Sequence, residues 1–312
     1  QVVSLGEQVS TLILADWLEL NKIPVAWFDA RQLIRTDANW REAKVNWAGT
    51  AHLVRRHIKP LFSRPKAPIV LTQGFIGATL EGKTTTLGRE GSDYSAAILS
   101  YCLEAKCMTI WKDVQGVLNG DPKEFDAPEL LPELSYQDAI EMAYFGATVI
   151  HPKTLQPLHD AGIPLEVKSF VEPEAPGTSV STRTKSPAKP CYIVKRRQAL
   201  LTMYQDDFRF ATEGLLSEAL QLLHEHRIKV HMVQNSALRI ELCVEGESRR
   251  LDSLAEQALA KGWNFTMHKP MILITVYQAG DLKQEPKLRG MGQLRMEQRN
   301  ANTWRLLFEE EV

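Results

Sequence analysis

The chain has 312 residues, 44% of them hydrophobic and 24% charged, enough for two domains that each have a core. Its formal net charge of -1 gives no electrostatic reason to expect nucleic acid or an anionic membrane as partner. The four cysteines (Cys102, Cys107, Cys191, Cys243) form no Cys-x-x-Cys pair, which fits a reducing cytosol, and no apolar run reaches the roughly 20 residues of a membrane span.

The chain opens on an apolar run, Gln1-Val2-Val3-Ser4, read as a strand ending at Leu5-Gly6-Glu7. It starts without Met in what reads as a core strand, so a further N-terminal piece is expected upstream. An amphipathic helix is expected from Ser10 to Leu20 and a short strand from Ile23 to Asp29. A polar excursion follows through Arg35-Thr36-Asp37. Leu53 to Phe62 reads as a helix, and Pro68 to Thr72 as a buried strand ending in Gln73-Gly74-Phe75.

Thr84-Thr85-Thr86-Leu87-Gly88-Arg89-Glu90-Gly91-Ser92-Asp93-Tyr94 is the most informative stretch. After Asp93 the apolar residues Tyr94, Ala97, Ile98, Tyr101 and Cys102 recur at helical spacing, so Ser92 or Asp93 is expected as N-cap. A helix start preceded by glycines offers free N–H groups and a positive dipole end, and Arg89 adds a planar fork suited to carboxylate or phosphate. An ordinary capped helix after a Thr-rich strand is the other reading of the same residues. Just upstream, Gly77 to Thr84 matches the phosphate-loop pattern G-x-x-x-x-G-K-[ST]. That motif needs a helix directly after Lys83-Thr84, whereas Thr85-Thr86-Leu87-Gly88 is β-prone, so Glu81-Gly82 is expected as a hairpin tip.

Met108 to Trp111 is the next expected strand, ending at Lys112-Asp113 and entering a loop to Pro128. Ser135 caps a helix to Phe145, another helix follows His151-Pro152, and Ile163 to Val167 is a strand. The alternation predicts an α/β fold with a mostly parallel sheet sandwiched by helices, its ligands at the carboxyl ends of strands. Residues 171–190 read as a linker rich in Pro, Ser and Thr. Beyond it comes strand–helix–strand–strand–helix–strand, a ferredoxin-like βαββαβ unit, then a further strand from Met271 to Tyr277. Arg295 to Arg299 reads as a solvated charged stretch, and Thr303 to Phe308 as a last strand. No His or Cys pair has metal-ligand spacing, and no protein-bound metal is expected.

Taken together, Val3-Ser4-Leu5-Gly6-Glu7, Gln73 to Gly77, Thr84 to Ala96, Trp111 to Val117, Asp121-Pro122-Lys123, Phe145-Gly146-Ala147 and His151-Pro152 resemble the aspartokinases of the amino acid kinase family. The resemblance covers about residues 1–180 in the family's order, implying a catalytic domain there. Residues 190–312 look like the ACT regulatory region that follows it. It implies phosphoryl transfer from ATP, with Mg2+, to the side-chain carboxylate of L-aspartate. By the same resemblance Arg89 and Asp93 are catalytic: Arg89 clamps a substrate carboxylate, and Asp93 organises charge around the transferring group. Glu7, Phe75, Thr86, Arg89, Gly91 and Ser92 surround the substrate. Lys112, Asp113, Leu118, Lys123, Thr148 and Val149 fall where the family holds ATP. A homodimer in the cytoplasm, with lysine or threonine as allosteric ligand, is also implied.

Four departures from the family pattern stand out. The usual opening Lys-Phe-Gly-Gly-Thr-Ser is absent. Glu90 stands where a Gly is usual, Leu118 where a Tyr is usual, and Thr148 where a Lys is usual, with Lys153 as a candidate replacement. Three other readings stay open: a catalytically silent amino-acid-sensing subunit, a kinase for another acid, and a phosphate-loop NTPase that would depend on Lys83 rather than Arg89.

Overall fold

A computed structural model describes residues 2–147, 150–182, 184, 189–205, 213–280, 282, 288 and 291–310. The chain divides into two compact units: residues 1–117, 130–144 and 148–187 form the first, and residues 118–129, 145–147 and 188–312 the second.

The first unit opens on helix α1, Val2–Leu20, and not on a strand. The β-branched Val2-Val3 pair suggested extended chain, but the run belongs to the first turn of a 19-residue helix. Glu7 therefore sits within a helix and not at a strand end. Thr11 anchors α1: its hydroxyl accepts from Gln73 Nε2 at 2.8 Å and from the Trp27 indole at 3.1 Å. Strands β1 (Val25–Phe28) and β2 (Ile69–Thr72) pair in parallel. Between them lie the short helix α2 (Ala30–Leu33) and α3 (Trp47–His57), followed by a 3-10 turn, Lys59–Ser63. The helix expected from Leu53 to Phe62 is thus displaced toward the N-terminus. Asn46 caps α3 by accepting from the Gly49 N–H at 2.9 Å, and Pro60 ends in the 3-10 turn what α3 began.

Strands β3 (Ile76–Ala78) and β4 (Thr84–Thr86) form an antiparallel hairpin, as the Glu81-Gly82 turn predicted. Gly82 takes φ +78° in that turn, a value that favours glycine. Helix α4 (Gly91–Leu103) follows. Strands β5 (Met108–Lys112), β6 (Glu133–Ser135), β7 (Leu165–Ser169) and β8 (Thr178–Ser181) form a sheet in the order β5-β7-β8-β6. Its β5–β7 and β6–β8 pairs are parallel and β7–β8 is antiparallel. Strand β8 lies inside the stretch read as a linker, because a short Thr-Ser-Val-Ser strand carries little hydrophobic signal. Helix α5 (Tyr136–Phe145) starts at Ser135, whose hydroxyl accepts from the Asp138 N–H at 3.0 Å. Helix α6 (Pro152–Ala161) is capped by His151. A buried cluster of Leu33, Ile34, Val54, Ile58, Leu87, Ile98 and Cys102 joins α2, α3 and α4 beneath the hairpin's exit.

The second unit is built on one six-stranded sheet in the order β10-β11-β9-β12-β14-β13. Its strands are β9 (Cys191–Tyr204), β10 (Val230–Asn235), β11 (Ile240–Glu245), β12 (Asn264–Tyr277), β13 (Gln293–Arg299) and β14 (Thr303–Glu309). With α7 (Glu213–Glu225) and α8 (Ser248–Ala260), the first four strands give the ferredoxin-like βαββαβ order. The helices pack on one face over Leu201, Leu242, Val244 and Trp263. The expected separate strand from Met271 is the second half of the 14-residue β12. Arg295 to Arg299, read as solvated chain, is part of β13, an edge strand whose charges mask its pairing with β14. The sheet curls: the Gln298 amide of β13 donates to the Val233 carbonyl of β10, the opposite edge.

Candidate active site

The site forms where the hairpin runs into α4. The helix begins at Gly91, one residue before the expected cap, and Glu90 is the cap residue, in the left-handed region at φ 54°, ψ 30°. No side chain caps this end. Asp93 lies in the first turn, where its charge suits the helix dipole. The Gly74-Phe75 turn presses directly on this helix start. A Cβ on Gly74 would lie 2.8 Å from Ser92 Cα, and one on Gly91 would lie 2.7 Å from Phe75 Cδ2. Phe75 itself is held at φ 70° by hydrogen bonds. Its N–H donates to Ser95 Oγ at 2.9 Å, and its carbonyl accepts from the Leu87 N–H at 2.9 Å. Two glycines and a strained Phe are therefore the means by which two loops approach within backbone contact.

A cavity of about 800 Å³ opens beside this junction. Ser4, Trp40, Arg41, Phe75, Lys83, Thr84, Thr86, Gly88 and Arg89 line it. Three of the predicted substrate residues, Phe75, Thr86 and Arg89, meet on its wall. Gly91 and Ser92 stand directly behind Phe75. Glu7 lies one turn along α1 from Ser4, half-buried. Arg89 is exposed and enters no ion pair among the described residues. Thr86 is the hinge between strand and wall: its hydroxyl donates to the Trp40 carbonyl at 3.0 Å and the Arg41 carbonyl at 3.2 Å. Trp40, Arg41 and Lys83 were not assigned to the substrate site from the sequence. Lys83 carried a signal, since it belongs to the phosphate-loop pattern, but a strand follows it instead of a helix and the loop is a hairpin. For Trp40 and Arg41 no motif signal exists.

The second pair of predicted residues is Asp93 and Lys112. The ammonium at the end of β5 lies 3.2 Å from Asp93 Oδ2. The arrangement is an ion pair off the line of a hydrogen bond, and both side chains are about one-fifth exposed. Asp113 follows at the strand end, exposed. Leu118 and Lys123 belong to the segment grouped with the second unit, where the Lys123 N–H donates to Asp121 Oδ1 at 2.9 Å in a tight turn. Thr148 and Val149 lie outside the described residues. Lys153, the candidate replacement for a family lysine, is ion-paired with Glu42. Burial first, and then the Lys153 charge, hold neighbouring His151 below the usual imidazole range.

Residues 1–169 match the amino acid kinase family, and the chain belongs to that family. It is 36% identical over 264 residues to lysine-sensitive aspartokinase 3 of Escherichia coli (strain K12), a match covering 83% of this chain and 58% of that protein. It is 30% identical over 299 residues to an aspartokinase of Chlamydia pneumoniae, covering 92% of this chain and 64% of that one. The chain therefore spans about six-tenths of the length of these relatives. Among solved structures it resembles E. coli aspartokinase III in complex with aspartate and ADP. That likeness has a TM-score of 0.79 at 30% identity and covers 98% of this chain and 71% of that one. The same protein in complex with lysine and aspartate gives a TM-score of 0.78 at 31% identity, with the same coverage.

Proposed function

We propose that the chain carries the substrate and charge-organising part of an aspartate kinase, which transfers the terminal phosphoryl group of ATP to the side-chain carboxylate of L-aspartate and yields 4-phospho-L-aspartate. One observation carries the reading: Arg89, exposed and without a carboxylate partner among the described residues, stands on a cavity wall with Thr86 and Phe75 at the start of α4. A carboxylate is already a nucleophile at neutral pH, so the reaction needs no strong general base. What it needs is two anions held together and charge offset on the phosphoryl oxygens. Arg89 would hold an aspartate carboxylate and Glu7 the ammonium. Lys112 would face the phosphates, with Asp93 3.2 Å away keeping that ammonium in place. Asp113, Leu118, Lys123, Thr148 and Val149 are assigned to the nucleotide by resemblance.

Among the described residues no three His, Cys, Asp or Glu side chains converge on one point. By the resemblance, we assign Mg2+ to the phosphates of the bound nucleotide. When bound there, Mg2+ would supply neutralising charge at the phosphate oxygens. Among the described residues no helix is long and apolar enough to cross a membrane. We assign the chain to the cytoplasm and to the first step of lysine, threonine and methionine biosynthesis. We assign it a homodimeric state, with lysine or threonine as allosteric ligand of the second unit. The test traps acyl phosphate with hydroxylamine in the presence of ATP and L-aspartate, using the full-length gene product. Hydroxamate that vanishes in Arg89→Ala supports the kinase. A full-length protein that makes none, but binds an amino acid in calorimetry, is a sensing subunit instead.

A further inference from the structure

Three cations share the cavity wall, and only Arg89 has a role so far. Lys83 enters from the hairpin and Arg41 from the loop between α2 and α3. Among the described lining residues there is no Asp or Glu, Glu7 lying one turn along α1 from the lining residue Ser4. Three positive side chains on one wall favour a ligand with more than one negative group. The two remaining cations differ. Hydrogen bonding from Thr79 first, and the Lys83 charge last, holds the exposed Glu81 carboxyl below its usual range. Arg41 enters no ion pair among the described residues, and its planar fork matches a carboxylate.

The backbone that carries Arg41 is fixed on three sides. The Thr86 N–H donates to the Trp40 carbonyl at 3.1 Å, and the Ala43 N–H donates to the Thr86 carbonyl at 2.9 Å. The Thr86 hydroxyl donates to the Arg41 carbonyl at 3.2 Å. Glu42, the next residue, is tied to Lys153 of α6, and Gly88 lies so close that a Cβ there would meet Glu42 Cγ at 3.2 Å. Arg41 is thus an exposed side chain on a tethered backbone, opening on the same cavity as Arg89.

We infer that Arg41 is a specificity-determining residue that receives the second carboxylate of an acidic amino acid whose first carboxylate is held by Arg89. The inference rests on the aspartate kinase reading. A site built to pair a charged group discriminates strongly against an analogue that lacks it, because its own group is then left unpaired. L-Asparagine is that analogue: it keeps one carboxylate and the ammonium and replaces the other carboxylate with a neutral amide.

The test uses the full-length gene product. Binding of L-aspartate and L-asparagine is measured by calorimetry or competition for the unaltered protein, Arg41→Gln and Arg41→Lys, with KM for aspartate and ATP alongside. Arg41→Gln should weaken aspartate binding about tenfold or more while changing asparagine binding by less than about twofold. Arg41→Lys should recover part of the loss. KM for aspartate should rise while KM for ATP stays constant. Equal losses for both amino acids, or no loss for aspartate, overturn the inference. If the unaltered protein makes hydroxamate from aspartate and Arg41→Gln binds aspartate as well as before, the inference fails alone. If the unaltered protein neither binds nor phosphorylates aspartate, the kinase reading fails with it.

Discussion

The two units treat positive charge in opposite ways. In the first, Arg41, Lys83 and Arg89 stand exposed around a cavity. In the second, cations sink into the curled sheet: Lys195 Nζ of β9 lies 3.5 Å from His231 Nδ1 of β10. Burial, and after it the charge of Lys229, pushes Lys195 down to about 8. Burial and the charges of Lys195, Lys229 and Arg305 push His231 down to about 3. Groups left in water keep their charge and remain available to a ligand, whereas among these half-buried cations it is the imidazole of His231 that is held neutral. Charge at the hairpin faces a cavity open to solvent, and charge in the second unit's sheet acts on its buried neighbours.

Removing the exposed charge should have the largest effect. Arg89→Ala is expected to lower kcat/KM for aspartate by at least about 100-fold while leaving the urea midpoint nearly unchanged, because the side chain is exposed and enters no ion pair among the described residues. Breaking the frame beneath it should show in stability instead. Gly74→Ala sets a Cβ against Ser92 backbone that cannot move aside, and a loss of about 1–3 kcal/mol is expected in urea unfolding. The buried charge makes its own prediction. The unfolded chain binds a proton at His231 near 6.5 and the folded chain only near 3, so across that window the unfolded state holds more protons. Stability should fall as pH drops from about 6.5 toward 3, and His231→Asn should flatten that decline in a series of melts at stepped pH. The smallest effect is expected at the cap. Glu90 occupies a left-handed conformation that glycine adopts without cost, so Glu90→Gly should raise stability by up to about 1 kcal/mol, read as a small gain in Tm.

Much of this was legible in the chain. The hairpin tip at Glu81-Gly82, the helix after Gly91 and the βαββαβ order all follow from local periodicity and turn chemistry. The misreadings have identifiable causes. Val2-Val3 looked extended because β-branched residues favour strands, yet they belong to a helix tied by Thr11 to Gln73, a residue 62 positions away. Strand β13 was hidden because an edge strand carries charge to discourage further pairing. Ser92 was the better cap by propensity, but the Gly74-Phe75 turn packs where a cap would reach, and the helix starts earlier. Arg41 was invisible for a different reason: a cavity wall assembled from distant segments leaves no spacing to read.

The two long strands of the second unit have a consequence for how it comes apart. Strand β9 pairs with β11 along its C-terminal half and with β12 along both halves, and β12 continues into the pairing with β14. The helix-covered half and the β13–β14 half therefore share two 14-residue backbones. Neither half can open without tearing hydrogen bonds that the other depends on. Amide protons of Leu200 to Met203 and of Ile272 to Val276 should thus exchange with solvent together, at one rate set by cooperative opening of the whole sheet.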